Sequence, residues 1–282
     1  MGRWFARHLS HLGYRIKISD VDTNRMKELA NIFNYQHSKS NIDAVVDADF
    51  VLVSVPTTHM ESVIDEISES IKEGAIVCEI ASFKMQHFNQ LESLNGKGVT
   101  TLSLHPMFGP SAERIEDLTF GLIPVKNPEE EEQIARSLFP EADIIVIDVE
   151  THDRVMSHVL SLTYLMNLAF SMTIGEKEVK LIKKLAGTSF TIQMGLAESI
   201  IFENSELVET ILYSNLYTSE TISRFIQNVE NLKDRDILNN ELVKLKNRFK
   251  ENLDKKSVDN WRYESYLSYR KAMQLGGKTP VS

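Results

Sequence analysis

The sequence predicts an α/β chain in two parts: a doubly wound parallel sheet over residues 1–149, then an all-helical domain over 150–276. Two observations carry that reading. Strand-length apolar runs alternate with segments of helical period through about residue 148. Beyond Glu150 no strand pattern returns, and Leu, Ile, Met and Phe recur at three- and four-residue spacing. The length of 282 residues, with 42% hydrophobic and 25% charged, gives room for two packed domains of ordinary soluble composition.

Residues 2–13 read as an amphipathic helix, with Phe5, Leu9 and Leu12 on one face and Gly13 ending it. Arg15–Ser19 reads as a strand ending at Asp20, and Thr23–Phe33 as a helix capped by Asp22. Phe50–Val55 is a continuous apolar run of the buried parallel type, stopped by Pro56. A helix over Met60–Ile71 and a strand over Ala75–Ile80 follow, then a helix near His87–Leu94 and a strand over 100–103 that leads to His105. Gly121–Val125 and Asp143–Ile147 add two strands around a helix at Pro128–Phe139, whose consecutive glutamates suit the positive end of the helix dipole. In the second part, His152–Ile174 is apolar over much of its surface and fits a dimer core or a monomeric bundle. Further helices are expected over Ser205–Asn231 and Asp236–Leu253, and a flexible tail over 277–282.

A net charge of -9 argues against nucleic acid or an anionic membrane as partner. No apolar run of membrane-spanning length is evident, and the N-terminal residues lack a signal peptide's apolar region. The single cysteine, Cys78, rules out an internal disulfide and fits a reducing cytoplasm. No metal site is predicted.

A dinucleotide-binding, Rossmann-like domain needs a first strand, a glycine-rich turn, a helix, and a second strand ending in an acid that meets the ribose. The helix, the second strand and Asp20 are present, and Gly2 stands where the last glycine of the motif belongs. The first strand and first two glycines precede Met1 in this reading, so the frame is expected to extend about a dozen residues upstream. Without that strand, two neighbours would each keep an unpaired ladder edge. Asp20 also reads as a plain turn residue before Val21-Asp22-Thr23.

The most specific stretch is Leu104-His105-Pro106-Met107-Phe108-Gly109-Pro110. Two prolines and a glycine hold one turn shape and place His105 at its mouth, on the sheet edge where open α/β sheets bind ligands. A structural histidine closing the turn is the plain alternative.

Met1-Gly2-Arg3-Trp4-Phe5-Ala6, Val53-Ser54-Val55-Pro56, Ile80-Ala81-Ser82-Phe83-Lys84, His105–Pro110 and His152-Asp153-Arg154-Val155-Met156-Ser157 occur in the order seen in prephenate dehydrogenases. The chain resembles that family, its archaeal branch most closely, over nearly its whole length. The resemblance implies an NAD(P)-dependent oxidative decarboxylation of prephenate in tyrosine biosynthesis by a cytoplasmic homodimer paired through the helical domain. His105 would accept the hydroxyl proton, and Ser82 would hydrogen-bond the same hydroxyl and the nicotinamide side. Gly2, Asp20, Ser54, Pro56 and Thr57 would line the cofactor. NAD is favoured over NADP because a carboxylate at Asp20 repels a 2′-phosphate. Lys84, Ser111, Tyr164 and Thr191 are the implied substrate contacts. Tyr164 and Thr191 stand where bacterial relatives carry a histidine and a carboxylate-binding arginine, a loss of about 1.5–3 kcal/mol for the latter contact. The next arginine is Arg224. His152 and Asp153 read as the cap and first turn of the long helix.

Three functions remain at this stage. They are a prephenate dehydrogenase, an arogenate or other two-domain dehydrogenase, and a cofactor-free dimeric binding protein.

Overall fold

The computed structural model describes residues 1–176, 178–249 and 255–276. The predicted tail at 277–282 and the end of the helix expected to reach Leu253 lie outside them. The chain divides into two units, Met1–Met156 and Ser157–Ser282. The division falls after Met156 rather than after 149, because the helix Val149–Met156 (α7) buries His152 and Asp153 in the first unit.

In the first unit, α1 (Gly2–His11) leads to a short strand β1 (Lys17–Ile18), then α2 (Thr23–Phe33) and β2 (Gln36–His37). The Asp22 carboxylate caps α2, accepting from the N–H groups of Asn24 and Arg25. A short helix α3 (Asn41–Val45) precedes β3 (Phe50–Val53), α4 (Thr57–Ile67), β4 (Ile76–Glu79), α5 (Phe88–Asn95) and β5 (Thr100–Pro106). Then come β6 (Thr119–Leu122), α6 (Pro128–Leu138) and β7 (Asp143–Val146). β2 and α3 are additions to the predicted elements, too short to leave a periodic signal.

The strands form two sheets: β1 pairs with β2, and β3-β4-β5-β6-β7 make a second sheet in that order. No ladder joins β1 to β3 among the described residues, which leaves one unpaired side on each of those strands, the two ladder edges expected from sequence. The correction is one of direction. β3, β4 and β5 are parallel, but β6 runs antiparallel to β5 and parallel to β7. The segment between β5 and β6 holds only a 3-10 turn at Ile115–Asp117 and no crossover helix, so the chain doubles back.

Both faces of the larger sheet are covered. Val77 joins a cluster with Met60, Ile64, Ile67, Leu91 and Leu94 from α4 and α5. Its neighbour Cys78 joins the opposite cluster, with Phe5, Leu9, Phe120, Leu138 and Phe139. That alternation at adjacent strand positions explains the unbroken apolar strands. The second cluster anchors the loop after His105. Phe108 meets the Trp4 ring edge-on at 4.9 Å and the Phe120 ring at 5.2 Å, while Trp4 Nε1 donates to the Ala112 carbonyl at 2.9 Å.

The second unit is helical: a π-helical turn Ser157–Leu162, then α8 (Thr163–Thr173), α9 (Val179–Leu185), α10 (Thr188–Ile201), α11 (Ser205–Tyr213), α12 (Thr218–Asn231), α13 (Arg235–Arg248) and α14 (Lys255–Gly276). The predicted helix over Ser205–Asn231 is broken where the Asn215 side chain accepts from the Tyr217 N–H. At Gly195 of α10 a Cβ would stand 2.2 Å from the Tyr269 ring, so glycine is what admits that ring. The helical run Val149–Thr173 is long and apolar enough, by length and composition, to cross a membrane, which corrects the expectation of no such run. Its buried polar groups are nevertheless engaged by protein. Ser157 Oγ lies 2.7 Å from Thr221 Oγ1, and Ser161 Oγ donates to the Ile211 carbonyl at 2.8 Å.

Of the glutamates opening α6, Glu131 is buried, and its carboxylate accepts from the N–H groups of Val125, Lys126 and Asn127 at 2.7–2.8 Å. This closes the turn after β6. Glu131→Ala strips three N–H groups of their acceptor and is expected to cost about 3 kcal/mol or more. A lowered urea midpoint for the transition that exposes the first unit checks this, and an unchanged midpoint rejects it.

Candidate active site

The site begins with a buried carboxylate at the end of β4. Glu79 and Lys84 are both fully buried, and Lys84 Nζ lies 2.6 Å from Glu79 Oε1. The Lys84 ammonium also donates to the Leu104 carbonyl at 2.7 Å. Glu79 further accepts from the Ser103 hydroxyl and, at 2.7 Å, from the Ala81 N–H. His87 Nε2 stands 3.1 Å from Glu79 Oε2, near in distance but misaligned for a hydrogen bond. Burial alone would push the Glu79 carboxyl up, but Lys84 and then His87 outweigh it and hold it below its ordinary value near 4.5. Burial lowers the Lys84 ammonium, an effect that Glu79 opposes.

This arrangement corrects one sequence assignment. Lys84 was expected to meet a substrate carboxylate, yet its ammonium is enclosed and committed to Glu79 and the β5 backbone. It braces the loop carrying Ser82. Ser82 itself is half-buried, three residues past the end of β4, and its hydroxyl makes no hydrogen bond among the described residues.

His105 lies within β5 rather than at the mouth of a turn, because the strand runs on through Pro106. The β4 ladder ends at Glu79 opposite Ser103, so His105 and Pro106 pair only with β6, at Gly121 and Phe120. A proline, which has no N–H to give a second neighbour, fits there. His105 is 4% exposed, and its Nδ1 lies 2.9 Å from His152 Nε2. His152 Nδ1 in turn lies 2.7 Å from Asp153 Oδ1. The Asp153 carboxylate also accepts from the N–H groups of Lys84 and Met85 at 3.0–3.1 Å. Burial first, then the Lys84 ammonium and the adjoining His152, holds the His105 pKa well below 6.5, so the ring is neutral at neutral pH.

His152 and Asp153 are the candidate site residues that sequence reasoning missed. They read as a helix cap, but Asp148 does the capping, accepting from the Thr151 N–H at 2.9 Å. The signal available was their place in His152–Ser157, one of the stretches that carry the family resemblance.

The predicted cofactor residues lie in the first unit. A Cβ on Gly2 would stand 3.2 Å from Ser54 Oγ, so the start of α1 and the end of β3 are brought together. α1 has no side-chain cap, leaving its first N–H groups for an anion. Asp20 is exposed past the end of β1, with its carboxylate accepting from the Asp22 N–H at 2.9 Å. Pro56 precedes α4 without a side-chain cap, and Thr57 begins that helix buried. These residues fit a dinucleotide: an open helix start beside a glycine, and an exposed carboxylate for a ribose. Ser111 is exposed just past the anchored Phe108. In the second unit Tyr164 is partly buried on α8, and burial, then Glu203, raises its pKa, so the phenol keeps its proton. Thr191 spends its hydroxyl hydrogen on the Gly187 carbonyl at 3.0 Å, and Arg224 pairs with Glu220 along α12. Among the described residues no group of His, Cys, Asp or Glu is arranged to hold a metal.

The family model described as prephenate dehydrogenase, nucleotide-binding domain, matches residues 5–150, and that described as its dimerization domain matches 148–251. The chain belongs to the prephenate dehydrogenase family. A relative in Methanocaldococcus jannaschii, named "Probable arogenate/prephenate dehydrogenase", is 30% identical over 254 residues, covering 88% of this chain and 55% of that protein. The chain spans about half the length of the curated relatives it matches. Among solved structures, Aquifex aeolicus prephenate dehydrogenase in complex with hydroxyphenyl propionate and NAD+ aligns with a TM-score of 0.68 at 20% identity, covering 98% of this chain and 94% of that one. Synechocystis arogenate dehydrogenase aligns at 0.66 with 16% identity, covering 89% and 95%. At these identities the two structures establish the shared fold.

Breaking the buried pair from one side strands the other charge. Lys84→Met is expected to cost about 3–5 kcal/mol, and the double variant Glu79→Gln/Lys84→Met to recover most of it in chemical denaturation. Acid should act on the same region. The stability Glu79 contributes is present above about pH 4.5 and is lost as pH falls below it, whereas His105 begins to destabilise the fold from 6.5 downward. Equal stability at pH 7 and pH 4 would contradict this.

Proposed function

We propose that the chain is an NAD-dependent dehydrogenase that oxidatively decarboxylates prephenate to 4-hydroxyphenylpyruvate, as a homodimer paired through its helical unit. The observation that supports it most is His105: a neutral imidazole held through Nδ1, with no hydrogen bond at Nε2 among the described residues. Ser82 follows the adjoining strand with an unengaged hydroxyl.

The reaction removes a hydride from the carbon bearing the ring hydroxyl and the ring carboxylate as CO2, while the hydroxyl proton passes to a base and returns to the phenolate oxygen once the ring is aromatic. The bonding pair left behind completes an aromatic ring, which drives the step. A bound nicotinamide supplies the hydride acceptor. What the chain must supply is a base aimed at the hydroxyl and an oriented substrate. His105 Nε2 takes the hydroxyl proton, and the Ser82 hydroxyl holds the same oxygen in line. Gly2 with the open start of α1, Ser54, Pro56 and Thr57 would hold the dinucleotide, and Asp20 the adenosine ribose, favouring NAD over NADP. Ser111, Tyr164 and Thr191 are the substrate contacts in this reading.

The dimer is supported by the family description of residues 148–251 and by apolar side chains on the helical unit. Met172, Leu185 and Phe202 are 86%, 76% and 87% exposed. Arogenate is the second reading, because the Methanocaldococcus relative's name carries both substrates. Arogenate has an amino group where prephenate has a keto group, and its ring hydroxyl is the same, so the same base serves either.

Assay of the protein with prephenate and arogenate against NAD and NADP tests the reading. Turnover is expected with prephenate and NAD. No turnover with any pairing would favour a binding protein instead. His105→Asn is expected to lower kcat by about 10²–10⁴-fold while NAD affinity changes little. Undiminished turnover in that variant removes His105 from the proton transfer.

A further inference from the structure

We propose that Asp153 and His152 are positioning residues that set the tautomer of His105, placing its ring hydrogen on Nδ1 so that Nε2 is the proton acceptor. What Nε2 accepts rests on the proposed dehydrogenase activity; the tautomer does not.

The inference follows from donor and acceptor accounting along the chain of contacts. Asp153 Oδ1 and Oδ2 both face backbone N–H groups, of Lys84 and Met85, which only donate. The carboxylate is therefore an acceptor at both oxygens, and the hydrogen in its 2.7 Å contact with His152 belongs to His152 Nδ1. A neutral imidazole protonated at Nδ1 has a bare lone pair at Nε2. That lone pair faces His105 Nδ1 at 2.9 Å. Two bare nitrogens would repel at that distance, so His105 Nδ1 carries the hydrogen and donates it. His105 Nε2 is then the unprotonated nitrogen. The opposite arrangement needs a doubly protonated His152, a second cation in the enclosure where the Lys84 ammonium already disfavours charge on His105.

Packing holds the geometry. His105, His152 and Asp153 are each at most 4% exposed. Gly121 of β6 lies across both rings: a Cβ there would stand 3.7 Å from His105 Cβ and 3.8 Å from His152 Cδ2. The Asp153 carboxylate is fixed by the 84–85 backbone, just beyond Ser82. The logic parallels the aspartate of a serine-protease triad, which fixes its histidine's tautomer and takes no proton itself. Here a second imidazole is inserted between carboxylate and base.

The test uses the full chain labelled with 15N-histidine, with the His105 signals assigned by their loss in His105→Asn. Long-range proton–nitrogen correlations at neutral pH, without substrate, should show His105 protonated at Nδ1. In Asp153→Asn the side-chain amide donates to His152 Nδ1, reversing both rings and leaving His105 protonated at Nε2. That variant should lose kcat by about 10³-fold or more, with substrate KM and NAD affinity within a few-fold of the parent. Should Asp153→Asn fail to fold, a second pair decides. His152→Gln offers a carbonyl oxygen to the His105 Nδ1–H and should retain turnover within about tenfold of the parent, whereas His152→Leu should lose it as Asp153→Asn does. A parent His105 protonated at Nε2, parental turnover in Asp153→Asn, or equal losses in the Gln and Leu variants overturns the proposal. An Nδ1-protonated His105 in a protein that turns over neither prephenate nor arogenate would sustain the positioning pair and overturn the assigned reaction.

Discussion

The first unit depends on one desolvated carboxylate. Glu79 gathers an ammonium from Lys84, a hydroxyl from Ser103 and the backbone N–H of Ala81, with the His87 ring beside it. A buried charge is tolerable only when so surrounded, because water has been removed from both ions and must be replaced contact by contact. The replacement has a geometric result. Lys84, five residues after Glu79, turns its ammonium back to that carboxylate, and the half-buried Ser82 lies in the segment between them. The same lysine donates to the Leu104 carbonyl, next to His105, so one ion pair ties the segment carrying Ser82 to the strand carrying His105.

Much of this architecture was legible in the sequence. β3 and β4 showed as continuous apolar runs because both sheet faces are covered, and α2 was announced by Asp22. The predicted strand over Gly121–Val125 lies two residues early in the structure, as Thr119–Leu122, and its direction was not legible at all. An apolar pattern has period but no polarity; only the missing crossover helix before it hinted at reversal. Lys84 was misassigned for a related reason. Lysines are rarely buried, and the partner that makes burial tolerable here is Glu79, at the end of the strand five residues earlier.

The candidate site was half legible. His105 and Ser82 stood out because each follows an apolar strand in a distinctive motif. His152 and Asp153 did not, since they begin a helix where such residues ordinarily cap. Their partners lie 47 and 69 residues away in sequence. Contacts of that span carry no local signature, and only the tertiary fold turns a helix start into the far end of a hydrogen-bonded line. The helical unit was the least readable part, because its apolar residues outnumber what the described residues bury, and surplus apolar surface does not say which partner covers it.

Cys78 closes the account of β4. It is the chain's single cysteine, 1% exposed, next to Glu79, and its thiol is pushed up first by burial and then by that carboxylate. Such a sulfur is inert toward alkylating reagents while β4 stays paired on both sides. It becomes reactive only when the sheet parts around Glu79. The protein thus carries an internal clock: the rate at which an added reagent captures this one sulfur counts the openings of the strand that supports its chemistry.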